Sequence, residues 1–318
     1  MYKMAEGVKD AAKKRKRSYT LKLMKRNWLL YLFLLPSVLY VLVFNYLPMY
    51  GIQIAFKNFT FVKGYAGSEW VGFKWFIKFF ESIQFKKLMV NTLRISIYSL
   101  VVGFPIPIIF ALVMNNIRNL KWKKVVQTIT YMPHFISTVV LVGMMSIFLS
   151  PTGGLINRLL ELVGGPGNIH FLGKASYFPH VYVWSGIWQG IGWGSIIYVA
   201  ALAGVDQELH EAAMIDGANK LQRVYHIDIP SILPTIIIML ILRCGSIMSV
   251  GYEKAYLLQN NLNLETSEVI NTYVYKMGLL NKKYSYSAAI GQFNNIINFV
   301  LLMTVNKISR KVSETSLW

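Results

Sequence analysis

Six apolar runs, each long enough to cross a bilayer, constrain this chain before any motif is considered. A helix needs about 20 residues to span the hydrocarbon core. Runs of that order lie near residues 28–50, 92–114, 125–149, 178–203, 232–250 and 287–307. In lipid every backbone N–H and C=O must find an internal partner, so such runs predict helices. The expected fold is all-α, a polytopic membrane protein with six transmembrane helices. Composition agrees, since 54% of the 318 residues are hydrophobic and only 15% are charged, too apolar for an ordinary soluble domain. The division that follows is a basic N-terminal segment at 1–27, a six-helix domain at 28–307 with a polar loop at about 204–231, and a tail at 308–318.

A formal net charge of +19 raises the question of nucleic acid. The basic residues form no groove-like patch interleaved with aromatics, however; they cluster beside the apolar runs, as membrane topology requires. Lys13-Lys14-Arg15-Lys16-Arg17 precede the first run and read as a cytoplasmic anchor, so no nucleic-acid partner is expected. The run from Trp28 is too long for the core of a cleaved signal peptide and lacks a small-residue cleavage site. Six spans with a cytoplasmic N-terminus put both termini in the cytoplasm. The basic loop from Arg118 to Lys124 and the tail with Lys307, Arg310 and Lys311 fit that orientation. A single cysteine, Cys244, excludes an intrachain disulfide.

Between the fourth and fifth runs lies a polar, helix-prone island, Glu211 to Pro230, with the sequence EAAMIDGANKLQRVYHIDIP. Asp206 is a good N-cap, and Gln207 to Met214 are mostly strong helix formers. Ala212 and Ala213 keep that helix thin. Gly217 can take the left-handed conformation that ends a helix. A second short helix is expected from Ala218 to about His226. Pro230 and Pro234 stand near the start of the next run, where a missing N–H costs little.

The spacing in this island carries a resemblance. Glu211-Ala212-Ala213, Gly217, Ile227, Ile229 and Pro230 follow the cytoplasmic loop motif of permease subunits in binding-protein-dependent ABC importers, with Ile229 where that family more often has Leu. The stretches LLPSVLYVLVFNYLPMYGIQIAFKNF and YMPHFISTVVLVGMMSIFLSPTGGLIN are similar to the maltose-type branch, which carries oligosaccharides and polysaccharide fragments. The resemblance implies a type I importer permease fold in a bacterial cell membrane. It also implies partners: a second permease subunit, two ATPase subunits that bind ATP and Mg, an extracytoplasmic solute-binding protein, and an oligosaccharide as cargo. Glu211, Ala212, Ala213, Asp216 and Gly217 would then form the helix that docks on an ATPase. Long segments at 51–91, 150–177 and 251–286 would offer a landing surface for the binding protein, or else only anchor the chain at the lipid interface.

Catalytic chemistry is not written in this chain. Gly173-Lys174-Ala175-Ser176 fails the phosphate-loop pattern in spacing and in its third residue. The five histidines show no metal-ligand spacing, and no serine sits in a Gly-x-Ser-x-Gly elbow. No enzyme, no metal and no cofactor are expected on this chain.

Polar residues inside the runs are candidates for a solute path, because each is costly in lipid unless it faces protein or water. Arg243, placed near mid-depth of a fifth span starting at Ile232, has no acid inside any predicted span to pair with. It can snorkel, bind backbone groups, pair with a second subunit, or meet an anionic solute. Gln292, Asn294, Asn295 and Asn298 in the sixth run offer donors and acceptors to sugar hydroxyls, or serve as interhelical glue. Trp184 and Trp188 are one turn apart and could stack on sugar faces, or merely pack. Gly186, Gly190, Gly192 and Gly194 suit close helix contacts. Two alternatives stay open: the same importer class with a peptide, amino acid or polyol as cargo, and an ion-coupled transporter working alone, for which intramembrane acids or inverted repeats would be needed.

Overall fold

The computed structural model describes residues 22–313 and 315–317; the basic run Lys13 to Arg17 lies outside them. Two compact units are distinguished, residues 1–53 and 54–318. In the first, the helix Trp28–Val41 runs on through a wide turn, Leu42–Tyr46, and none of its residues is buried.

The second unit is a helical bundle. Among the described residues there is no strand, only an isolated bridge between Lys57 and Trp70. Among the described residues of the whole chain, five helices are long and apolar enough to cross a membrane: Trp28–Phe56, Ile83–Asn115, Ala175–Ala203, Lys220–Cys244 and Tyr284–Ser313. Leu120–Phe135 and Thr138–Phe148, bent by 101° at the break between them, pass the same test of length and composition together and count as the sixth span when taken as one. The all-α, six-span architecture is therefore present.

Two of the expected spans differ in detail. The third, read as one run at 125–149, is broken because two start signals sit inside it. Pro133 tightens Met132–Phe135 into a 3-10 turn, and Ile136 is extended. Ser137 then caps the next helix by accepting from Val140 N. A break inside lipid needs an outside partner for its backbone, and Gln189 of the fourth span supplies one by donating to Ile136 O at 2.9 Å. The fifth span, read as 232–250, starts earlier and stops sooner. Pro230 has no N–H to give, and the helix absorbs this in a wide turn, Val224–Asp228, with Ile229 N bonded to Val224 O. It ends at Cys244, where Gly245 lies so close to Leu302 that a Cβ would collide with it. Arg243 thus stands in the last turn of its helix rather than midway along it.

Clusters of buried apolar residues tie the spans together. Near the end that bears Glu211, Ala111, Tyr198, Leu202 and Ile232 join the second, fourth and fifth spans. At the opposite end, Ile95, Leu141, Phe178, Val250 and Leu258 form a larger core. Buried asparagines knit the connecting segments there. Asn157 donates to Ser150 O and Ile169 O and accepts from Ile169 N. Asn263 donates to Leu172 O and Leu258 O. At Gly192 the third and fourth spans lie in close contact, since a Cβ there would drive into the Thr130 carbonyl.

Candidate functional site

The polar loop is built as its residues dictate. Asp206 caps the helix Gln207–Ile215 by accepting from Glu208 N at 3.0 Å. Gly217 takes φ +79° and ends it. Ala218 N bonds to Ala213 O at 2.8 Å and Gly217 N to Met214 O at 3.1 Å, the paired closure that satisfies carbonyls at a helix end. Asn219 and Gln222 form a reciprocal capping box for Lys220–Arg223. That second short helix begins two residues later than expected and continues without a break into the fifth span. Glu211, Ala212, Asp216 and Gly217 are exposed and Ala213 half-buried. Met214, Ile215, Leu221 and Tyr225 are exposed apolar residues around them, a surface fit for another protein.

A second feature lies among the spans. A cavity of about 400 Å³ is lined by Ser99, Tyr182, Gly186, Gln189, Arg243 and Lys254, among others. A smaller one of about 160 Å³ shares Ser99, Tyr182 and Arg243 and adds Ser96, Ser246 and Ser249. The Arg243 guanidinium is exposed to this space and makes no hydrogen bond or ion pair among the described residues. Lys254 reaches the same cavity from the short helix Tyr252–Leu258. Burial lowers its ammonium from the ordinary value to about 8. Two cationic side chains and several hydroxyls can hold a carboxylate by charge-assisted bonds.

The remaining candidates do not gather there. Trp188 lines a separate, mostly apolar cleft of about 790 Å³ with Trp184 and His180. Trp184 Nε1 donates to Tyr98 Oη at 2.9 Å. Asn294 is buried and donates toward Asn271 at 3.5 Å, and Asn298 accepts from Met248 N and donates to Ser249 Oγ. Both side chains are thus engaged by other residues of this chain. Gln292 is half-buried and Asn295 exposed, and neither lines the cavities just described.

Residues 103–314 match the family described as "Binding-protein-dependent transport system inner membrane component". The chain belongs to this family. As a permease it moves a solute across the membrane and is not an enzyme; the ATPase of such a transporter is a separate subunit. Relatives extend the match over nearly the whole permease. Protein LplB of Bacillus subtilis is 42% identical over 93% of this chain and 92% of its own. The polygalacturonan/rhamnogalacturonan transport system permease protein YteP of the same organism is 40% identical over 96% and 95%. A solved bacterial ABC transporter involved in the import of the acidic polysaccharide alginate has a chain 39% identical to the permease. It superposes with a TM-score of 0.84 over 92% of this chain and 99% of its own.

Sequence reasoning missed two residues. Lys254 was hidden in a long polar segment, and only the fold returns it to Arg243. Asp228 falls in a segment that reads as a loop; its one signal is an acid directly before an apolar run.

Proposed function

We propose that this permease imports acidic oligosaccharides, fragments of uronate-rich polysaccharide, as one half of a heterodimeric path. The observation that carries this reading is Arg243, unpaired in a cavity that Lys254 also enters. Relatives named for alginate and polygalacturonan transport support it. The helix Gln207–Ile215 docks on a cytoplasmic ATPase through Glu211, Asp216 and the apolar residues beside them. ATP and Mg are held by that partner. Its closure moves the helix and switches the path from inward- to outward-facing, and an extracytoplasmic binding protein then delivers the cargo. Both termini lie in the cytoplasm.

The test is ATP hydrolysis by the complex that co-purifies with the permease, reconstituted with its binding protein and challenged with acidic and neutral oligosaccharides. Stimulation by the acidic ones, lost in Arg243→Ala, is the expected result. Stimulation by neutral sugars that ignores the substitution would move the path to Gln292 and Asn295. Absence of a co-purifying ATPase would remove the docking scheme.

A further inference from the structure

Asp228 joins three helices at the end of the bundle that carries Glu211. Only 2% of it is exposed. His210 Nε2, on the helix Gln207–Ile215, lies 3.3 Å from Asp228 Oδ1. Asn115 Nδ2, from the last residue of the second span, donates to the same oxygen at 3.4 Å. Asp228 itself closes the wide turn through which Lys220–Arg223 becomes the fifth span.

The motif helix has few other ties. None of its residues is buried. Among the described residues, His210 is the one side chain of that helix with a hydrogen bond or ion pair to the spans. A carboxylate out of water is costly to leave unpaired. Separating His210 or Asn115 from Asp228 therefore meets resistance, and a displacement of the helix carries the other two elements with it.

We propose that Asp228 is a positioning residue for energy coupling: through it, a push on Gln207–Ile215 reaches the second and fifth spans together. His210 is the contact that delivers the push. The inference rests on that helix being the ATPase-docking element, and its test must separate the two.

The measurement is ATP hydrolysed per solute imported, in the complete reconstituted importer with its ATPase and binding protein. His210→Ala and Asp228→Asn are each expected to raise that ratio at least about fivefold, within the usual range of coupling between sites. Combining His210→Asp with Asp228→His rebuilds the pair in reverse and is expected to recover most of the loss. A wild-type ratio in His210→Ala, or a loss that the exchanged pair does not recover, would overturn the proposal. Should Asp228 variants fail to assemble, His210→Ala decides alone. Gly217→Val, run in parallel, separates the readings. If it and His210→Ala both couple normally, the docking reading falls; if His210→Ala alone is normal, only the Asp228 link falls.

Discussion

Lys254 Nζ donates to the carbonyl oxygen of Tyr182 at 2.9 Å and lies 4.8 Å from the centroid of the same residue's ring. The lysine is thereby held against the fourth span, beside Gly186, where a Cβ would sit 3.3 Å from its nitrogen. Its charge depends on pH in the working range, because burial lowers it to about 8. A lysine is charged below its pKa and neutral above. The cavity thus holds two cations below about pH 8 and Arg243 alone above it. A bound carboxylate favours the charged form and moves the midpoint upward. Uptake of an acidic oligosaccharide by proteoliposomes is expected to fall as pH rises past 8, and Lys254→Met to flatten the profile and lower uptake at neutral pH. A wild-type profile that stays flat would take Lys254 out of the path.

Gly217 has nothing within 4 Å of an added Cβ, so only its φ of +79° restricts substitution. A β-branched residue held there costs roughly 1–3 kcal/mol, whereas Asn tolerates the left-handed region. Gly217→Val is expected to reach the membrane in normal amount and lose most transport, with Gly217→Asn retaining most of it. Membrane content and uptake, measured side by side, check this.

Gly190 and Gly192 make a matched pair. A Cβ at Gly190 meets nothing within 4 Å, while one at Gly192 runs into Thr130. Gly192→Ala is expected to destabilise the purified complex by about 1–3 kcal/mol through overpacking, and Gly190→Ala to leave it unchanged. Thermal unfolding in detergent distinguishes them; equal midpoints would refute the close contact.

Asn298 and Asn295 offer a similar contrast on the sixth span. Asn298→Ala strips the buried Met248 N–H of its acceptor, a loss of about 1–3 kcal/mol. Asn295 is exposed, so Asn295→Ala should change stability by no more than about 0.5 kcal/mol. If Asn295 faces the solute, its replacement changes uptake without changing the unfolding midpoint.

The sequence showed what rests on local chemistry. Asp206 reads as a cap and is one; Gly217 reads as a left-handed helix end and has the φ to match. The apolar runs locate the helices because lipid leaves the backbone no alternative. What stayed illegible depends on neighbours distant in sequence. Pro133 and Ser137 were visible, but a break inside an apolar run is tolerable only because Gln189 satisfies Ile136. Arg243 stands in the last turn of its helix, a placement that apolar run length does not reveal, beside Gly245, which packs against Leu302 of the sixth span. Asp228 and Arg243 share one helix, yet fifteen residues at 1.5 Å each hold them about 22 Å apart, so the acid serves His210 and leaves the arginine alone.

The bend between Phe135 and Thr138 also imposes an order on biogenesis. Its carbonyl at Ile136 is bonded by Gln189, more than fifty residues later in the chain. A nascent chain that has emerged only through the third hydrophobic run has no such donor, and an unbonded carbonyl in hydrocarbon is expensive. We expect that run to enter the bilayer as a straighter helix and to fold over only when the fourth arrives. The final shape of the third span is then a product of its successor, and translation arrested before Gln189 should leave the region accessible to labels that the finished protein excludes.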